Sequence, residues 1–182
     1  ASVARVFRAG CKYDLVLVLA GKEQGTGKSS FIKRLGREWF SDTFMTVHGK
    51  EALEQIQGSW IIEMAELAGL RKSDIESVKH FISKQEDNFR PAYAKTSETF
   101  ARQCTFWGST NTKDFLRDPS GNRRFMPIDV HDIKVTENPK LIEFLNDDSM
   151  LDQIWAEAVH LFRSNETLYL SREAEIIAEQ EQ

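Results

Sequence analysis

The sequence contains few cysteines and no long apolar run, and these absences exclude several classes of protein. No apolar stretch approaches the roughly 18 residues that a membrane-spanning helix needs, so we expect no membrane partner. The two cysteines, Cys11 and Cys104, match no metal-binding or redox spacing. Residues 1–20 lack the basic start and apolar block of a secretory signal. A disulfide-stabilised secreted scaffold, a cysteine-based metal module and a membrane protein are therefore not expected.

The composition is that of a globular protein, but the charges are unevenly distributed. The chain has 182 residues, of which 41% are hydrophobic and 29% charged, and this is enough to form the core of one domain. Residues 71–124 hold 11 basic and 7 acidic side chains, whereas residues 125–182 hold 4 and 13. The basic middle permits a local contact with a nucleic-acid backbone, and the acidic end argues against wrapping by nucleic acid. Because the chain begins at Ala1, we expect a piece of a longer protein.

Apolar patterns along the chain alternate between those of buried strands and those of amphipathic helices. Residues 14–20, "DLVLVLA", have the continuous Val and Leu pattern of a strand buried on both faces of a parallel sheet. Further strands are predicted at 44–47, 60–64 and 104–111 and, after a turn, within 118–130. Helices are predicted at 29–40, 50–58, 73–84 and from Pro139 onward, and residues 87–103 are interpreted as a loop or hairpin. This order predicts a three-layer α/β fold with a mainly parallel central sheet and a small helical C-terminal part.

The segment after the first predicted strand contains a phosphate-binding motif. Residues 22–29, "KEQGTGKS", combine glycines that let backbone N–H groups point inward with a lysine for the outer phosphates and a hydroxyl for Mg²⁺. The usual motif starts with glycine, but here Lys22 stands at that position and Gly21 one residue earlier. The N-terminus of the following helix favours anions. We therefore predict ATP and Mg²⁺ as cofactors, with ATP bound by Glu23, Gln24, Gly25, Thr26, Gly27, Lys28, Ser29 and Ser30.

Two glutamates follow the predicted strand 60–64 and supply carboxylates near this loop. A phosphate loop alone does not hydrolyse ATP, because the metal needs an acidic partner and the attacking water needs a group that orients it. We assign Glu63, together with Ser29, to the metal and Glu66 to the water. The sequence leaves open which of the two glutamates has which role.

Polar residues after two later strands complete the predicted catalytic set. Asn111 ends the strand 104–111, where its amide can hold the water or the γ-phosphate. Arg123 and Arg124 follow a tight turn, and one of them is assigned to stabilising charge on the transferring phosphoryl group, as a guanidinium lent by a neighbouring subunit often does. The predicted catalytic residues are therefore Lys28, Glu66, Asn111, Arg123 and Arg124.

Four stretches stand in a characteristic order within approximately residues 8–130: "GCKYDLVLVLAGKEQGTGKSSF", "WIIEMAELAGLRKSDIESVKHFISKQEDNFRPAY", "GSTN" and "GNRRF". Together they resemble the virulence-associated protein E family of phage and mobile-element proteins, which is related to superfamily 3 helicases within the AAA+ class of ATPases. The resemblance implies a P-loop NTPase fold in one ATPase domain over residues 1–182. Residues 1–130 would form its nucleotide-binding core and residues 131–182 its helical C-terminal part.

The resemblance also implies a function and partners. It implies an ATP-dependent replicative DNA helicase or translocase that assembles as a ring, commonly a hexamer, around single-stranded DNA in the cytoplasm of a bacterial host. Such domains are often fused to a primase or polymerase. Matched by motif, Lys28 and Ser29 belong to the first nucleotide motif, Glu63 and Glu66 to the acidic second motif, and Asn111 to the sensor. The second motif of the family is commonly richer in Asp, which leaves the metal assignment open.

Two further matches concern the trans-acting arginine and the DNA contact. The segment "NRRF" favours Arg123 over Arg124 as the arginine that acts across a subunit interface. The segment between Lys79 and Lys95 corresponds to an extra motif of the related helicases, which includes a DNA-contacting hairpin that lines the channel. Cations in such a hairpin follow phosphates and an aromatic ring stacks on a base. The predicted DNA-binding residues are Lys84, Arg90, Tyr93 and Lys95.

Three other functions fit a phosphate-binding loop. The first is a small-molecule or nucleoside kinase, although no separate pattern for an acceptor site is present. The second is a GTP-dependent switch, for which "NTKD" at 111–114 is a poor match because Thr112 stands where the guanine-reading motif has lysine. The third is a DNA-binding platform that ATP stabilises without being hydrolysed. DNA stimulation of ATP turnover distinguishes the helicase from the kinase, and competition by GTP tests the switch.

Overall fold

The computed structural model describes residues 1–65, 72–112, 124–130, 133–169 and 171–172. Its helices and strands are, in chain order, α1 (Ser2–Phe7), β1 (Val16–Ala20), α2 (Lys28–Gly36), β2 (Phe40–Ser41), α3 (Gly49–Gln55), β3 (Ile61–Met64), α4 (Lys72–Ile82), β4 (Glu86–Phe89), β5 (Glu98–Ala101), β6 (Thr105–Thr110), β7 (Phe125–Asp129), α5 (Pro139–Asn146) and α6 (Asp148–Arg163). Short 3₁₀ turns follow α2 at Arg37–Trp39 and precede α5 at Val135–Glu137.

The central sheet has five strands in the order β2-β3-β6-β1-β7, and all of its neighbouring pairs are parallel. Strand β6 lies between β1 and β3, with Ala20 opposite Thr110 and Ile62 opposite Phe106. Because the strands run in one direction, their carboxyl ends meet at one edge of the sheet, which we call the carboxyl edge, and the opposite edge is the amino edge. Residues that follow β1, β3 and β6 are therefore neighbours at the carboxyl edge.

Alternate residues of the strands pack on opposite faces of the sheet, and helices cover both faces. Val16 and Val18 of β1 belong to a buried cluster with residues of α3 and α4, including Phe81. Leu19 belongs to a second cluster with residues of α2, α5 and α6, including Leu151. The predicted three layers, with a mainly parallel sheet in the centre, are therefore present.

The predicted strand at 44–47 is wrong. The edge strand beside β3 is β2, which begins four residues earlier in the chain than the predicted strand and is only two residues long. The Phe44 ring packs instead on the rings of Phe81 and Phe106, with centroids 5.4 and 5.7 Å away, and Val47 packs on the same cluster. The apolar pattern thus reflects a loop that covers the α4 face of the core.

Helices α5 and α6 pack on the same face as α2. Trp155 of α6 donates its indole N–H to the carbonyl of Leu35 at 3.2 Å, and Arg34 of α2 bonds Asp148 at 2.8 Å. Asn138 caps α5 by accepting a hydrogen bond from the amide of Leu141. Of the helices in the described ranges, none has the length and apolar character that crossing a bilayer requires.

The region interpreted as a loop or hairpin is a hairpin. Strands β4 and β5 form a separate two-stranded antiparallel sheet, with Asp87 opposite Phe100. The hairpin leaves the body of the protein between the end of α4 and the start of β6, so its base lies at the amino edge. Residues 90–97 form its tip.

Candidate functional site

The loop between β1 and α2 adopts a conformation that two glycines permit. Gly25 and Gly27 have φ of +76° and +85°, in the left-handed region that residues with a Cβ rarely adopt. Gly27 is also the N-cap of α2 and supplies no capping side chain. The start of α2 is therefore an end at which the helix dipole favours an anion.

Lys28 is the first residue of α2, and its side chain folds over the loop. Its ammonium donates hydrogen bonds to the carbonyl of Glu23 at 2.9 Å, the carbonyl of Gly21 at 3.2 Å and Oγ1 of Thr26 at 3.2 Å. The lysine is 9% exposed. An ammonium group has three N–H donors, and burial of a charge is costly unless such donors find acceptors. The loop thus places a positive charge at its centre.

Ser29 and Glu63 come together although 34 residues separate them in the sequence. The Ser29 hydroxyl donates to Oε1 of Glu63 at 2.6 Å, which is the length of a charge-assisted hydrogen bond. Glu63 is only 2% exposed. Its neighbours Ile62 and Met64 point to the α4 face, so that the alternation of β3 directs Glu63 toward α2. A buried side chain with two acceptor oxygens is therefore held beside Ser29 at the start of α2, and its metal role stays a prediction.

The end of β6 forms the other wall of a cleft at the carboxyl edge. This cleft has a volume of about 620 Å³ and is lined by residues 24–30 of the loop and by Ala65, Ser109, Thr110, Asn111 and Thr112. The structure thus brings Asn111 to the predicted ATP-binding residues. The sequence reasoning missed Ser109 and Thr110, whose signal was the run of small polar residues that ends a buried strand. Of the predicted ATP-binding set, Glu23 is not part of the lining, but its carbonyl accepts a hydrogen bond from Lys28, which is.

The C-terminal part contacts the loop from outside, which the sequence reasoning did not predict. The amide of Val135 donates to the carbonyl of Gly25 at 2.9 Å. A Cβ added to Gly27 would lie 2.7 Å from Cδ2 of Leu141. No local pattern could have revealed these contacts, because about 110 residues separate their partners in the sequence. The loop is thus held between the sheet and residues 135–141, which we call the α5 segment.

Three of the four predicted DNA-binding residues lie at the hairpin tip. Arg90, Tyr93 and Lys95 are exposed, and Tyr93 has a φ of +67°, which is uncommon for a residue with a Cβ. Lys84 lies at the base instead, with its ammonium 5.5 Å from the centre of the Phe81 ring. The tip therefore presents two cations and one aromatic ring to solvent.

Arg124 lies at the amino edge, opposite the phosphate-binding motif. It directly precedes Phe125, which pairs with Val16 at the start of β1, and its carbonyl accepts from the amide of Val16. Its guanidinium contacts Asp14 at 3.4 Å. Strand β1 has five residues, so roughly 16 Å separate this position from the loop of the same chain. The two other predicted catalytic residues, Glu66 and Arg123, lie outside the described residues.

The donors at the carboxyl edge fit a magnesium ion better than a transition metal. A serine hydroxyl and a carboxylate, at 2.6 Å from each other, offer the oxygen ligands that Mg²⁺ takes together with waters and phosphate oxygens. Within the described ranges, no group of three or more His, Cys, Asp or Glu side chains is placed to hold a metal ion. A dedicated cage of protein ligands is therefore not found in that part of the chain.

Solved structures with a similar fold share little sequence with this chain. One is described as the apo structure of the NrS-1 C terminal region (305–718), with a TM-score of 0.56 and 16% identity over 80% of this chain and 37% of that one. A second, described as the A form apo structure of the same C terminal region, has a TM-score of 0.53 and 16% identity over 99% of this chain and 45% of that one. The chain thus spans less than half of the length of these structures. At such identity they support the fold alone.

Family membership rests on the sequence. None of the curated proteins matches the chain. The virulence-associated protein E-like domain, in contrast, matches residues 1–182, which is the whole chain. The chain therefore belongs to the virulence-associated protein E-like domain family.

Proposed function

We propose that the chain is the ATPase domain of a DNA helicase or translocase of the phage or mobile-element type. The observation that carries this proposal is the hydrogen bond between Ser29 and the buried Glu63, beside a loop that already surrounds Lys28 with oxygen acceptors. A hydroxyl, a carboxylate and an ammonium at one helix N-terminus are the groups that a P-loop ATPase uses for a magnesium-bound triphosphate.

In this proposal each group at the carboxyl edge has one task. Lys28 exchanges its loop acceptors for the outer phosphates, and amides of residues 25–29 donate to the inner ones. Ser29 and Glu63 would hold the magnesium ion, which when bound would supply positive charge to neutralise the phosphates. Asn111 holds the attacking water, and Glu66 remains the predicted residue that orients it. The small polar end of β6 leaves room for the terminal phosphate in the cleft.

The position of Arg124 favours hydrolysis at the interface between subunits. At roughly one strand length from the loop of its own chain, Arg124 cannot reach a phosphate bound there. The same position at the amino edge would allow Arg124 to reach a nucleotide bound to an adjacent copy, and Arg123 remains the predicted arginine for this role. We therefore propose a ring of copies, with single-stranded DNA contacted by the hairpin tips.

Turnover of ATP by the chain, with and without single-stranded DNA, tests the proposal. We expect magnesium-dependent ATP hydrolysis that an oligo-dT strand increases severalfold. The variant Arg90→Ala/Tyr93→Ala/Lys95→Ala should lose this increase, because it removes the phosphate and stacking contacts of the tip. A matched control, Lys140→Ala/Arg163→Ala/Tyr169→Ala, removes the same kinds of exposed side chain from the C-terminal part and should keep the increase.

Several outcomes would contradict the proposal. ATP turnover without any response to DNA favours the kinase alternative, and GTP that outcompetes ATP favours the switch. Unchanged turnover in Glu66→Gln would remove that residue from the mechanism. ATP binding without hydrolysis in the unmodified chain would favour a DNA-binding platform.

The ring requires a separate measurement. The mass of the particle in solution, measured with a non-hydrolysable ATP analogue and single-stranded DNA, should exceed that of one chain. Mixing Lys28→Ala copies with Arg123→Ala/Arg124→Ala copies should partly restore turnover, since an interface between the loop of an arginine variant and the arginine pair of a Lys28→Ala copy has both groups intact. A monomer under every condition would contradict the ring.

A further inference from the structure

A buried ion pair closes the base of the hairpin. Arg102, one residue after β5, donates from Nε to Oδ2 of Asp87 at 2.9 Å and from Nη2 to Oδ1 at 2.5 Å. Asp87 lies on β4, so the pair joins the two sides of the hairpin. Both residues are 2% exposed. The bidentate geometry fixes the angle of the guanidinium as well as its distance from the carboxylate.

The same guanidinium attaches the hairpin to the end of α4. Its Nη1 donates to the carbonyl of Phe81 at 2.5 Å, and its Cζ lies 4.6 Å from the centre of the Phe81 ring. The carbonyl belongs to the last turn of α4, where backbone acceptors have no partner within the helix. Arg102 therefore bonds β4 and α4 at once.

A second buried arginine supports this junction from α1. Arg5 donates to the carbonyl of Cys104 at 2.7 Å and to the carbonyl of Lys84 at 3.5 Å, which flank the hairpin on its two sides. The amide of Gly10 donates to the carbonyl of Arg102 at 2.9 Å. These contacts hold the two ends of the hairpin. The Asp87–Arg102 pair adds a side-chain link between β4 and the end of α4.

Helix α4 connects the junction to the candidate nucleotide site. The chain leaves β3 at the carboxyl edge, where Ala65 lines the cleft, and α4 returns it to the amino edge. Helix α4 has 11 residues and so spans about 16 Å. If α4 moves as a rigid body, a shift of its first turn would also shift Phe81 at its other end.

We propose that Asp87 and Arg102 are a positioning pair that makes the hairpin move with α4, so that the nucleotide site controls how the tip meets single-stranded DNA. The coupling to nucleotide rests on the proposed function. A two-stranded hairpin is at best marginally stable alone, and apolar side chains could supply the same stability as a buried ion pair. Apolar packing lacks directed bonds, however, so it would allow the hairpin to tilt against α4.

The test replaces the pair by apolar residues of similar total volume. In Asp87→Val/Arg102→Met both charges are removed together, so that no unpaired charge stays buried. The control is Arg34→Met/Asp148→Val, at a more exposed pair with a similar bonding pattern. Arg34 also bonds one aspartate, at 2.8 Å, and the carbonyl of Phe144 in the last turns of a helix, at 3.4 Å, but it lies away from the hairpin. If the double variant does not fold, Arg102→Lys replaces it in both assays, because lysine keeps the charge but cannot form the bidentate hydrogen bonds of the guanidinium.

Amide hydrogen exchange tests the attachment without any ligand. We expect amides of β4 and β5 to exchange about tenfold faster or more in Asp87→Val/Arg102→Met, while those of α4 and the central sheet keep their rates. The control variant should not change exchange in the hairpin. Unchanged exchange in β4 and β5 of the folded double variant would overturn the proposal.

DNA affinity tests the coupling. The dissociation constant for oligo-dT is measured with and without a magnesium-bound ATP analogue. In the unmodified chain these two constants should differ about tenfold, and the control should show the same tenfold difference. In the double variant the two constants should be nearly equal. An unchanged ratio in the folded double variant would overturn the coupling. If the unmodified chain binds no nucleotide, the proposed function fails, and hydrogen exchange still decides whether the pair attaches the hairpin to α4.

Discussion

Replacement of Gly27 by alanine tests how the C-terminal part restrains the phosphate-binding motif. Gly27 has a φ of +85°, and a Cβ at this position would lie 2.7 Å from Cδ2 of Leu141. Gly25 is a matched control, since it has a similar φ of +76° but nothing within 4 Å of the added carbon. The two variants therefore differ in the contact with α5 and share the backbone strain.

The geometry sets the size of each effect. Alanine in the left-handed region costs about 1–2 kcal/mol, and this should be the whole cost of Gly25→Ala. Overpacking adds about 1–3 kcal/mol where side chains cannot move aside. The free energy of unfolding should therefore fall by about 2–5 kcal/mol in Gly27→Ala. The gap between the two variants measures the contact with Leu141.

Urea denaturation followed by circular dichroism, without nucleotide, measures these values independently of any proposed activity. A double-mutant cycle with Leu141→Ala separates the contact, because the combined variant should be less destabilised than the sum of its parts. Equal losses in Gly25→Ala and Gly27→Ala, within about 0.5 kcal/mol, would refute the reasoning. So would a cycle without coupling energy.

Three further predictions concern the metal site, a buried thiol and a helix cap. Glu63→Gln should lower magnesium-dependent ATP turnover by about a hundredfold or more, because an amide lacks the charge that holds the cation. ATP binding in EDTA, measured by calorimetry, should remain. Turnover equal to that of the unmodified chain would contradict the assignment of Glu63 to the metal. Burial raises the pKa of the Cys104 thiol from 9.0 to about 11, so the folded state retains the proton where the unfolded state has lost it. The free energy of unfolding should therefore fall by about 1.4 kcal/mol per pH unit between pH 9.0 and about 11. Urea midpoints at a series of pH values check this slope, which Cys104→Ala should reduce; a slope that persists in that variant would exclude the thiol as its cause. Asn138→Ala should cost about 1 kcal/mol by removing the cap on the Leu141 amide, whereas Asn138→Asp should cost little in the same denaturation assay; equal losses would contradict the capping role.

Much of the fold could be predicted because its signals are local. The continuous apolar run of β1 and the glycines of the loop identified a strand, turn and helix within about 25 residues. The strand predicted at 44–47 was wrong because apolar residues of a loop that covers a core resemble those of a short strand. Periodicity reports burial, and it does not report which backbone supplies the hydrogen bonds.

The candidate site was predicted in part for a similar reason. Glu63 and Asn111 could be expected near the loop, because the carboxyl ends of parallel strands share an edge. Lys84 was grouped with the tip by its charge, although the turn of the chain leaves it at the base. The pair Asp87 and Arg102 gave no signal, since two charged residues 15 positions apart are usually solvated at the surface.

By itself the sequence determined the local chemistry: which segments bury both faces, where the backbone can take a positive φ, and that an ammonium and a hydroxyl follow the loop. Only the tertiary structure decided which distant groups meet, because that depends on the order of the strands and the face to which each residue points. The tertiary structure brings Ser29 to Glu63 and packs the α5 segment against the glycines of the loop. It also separates Arg124 from the loop by the length of β1. Contacts of this kind depend on the packing of whole elements, and no local pattern encodes them.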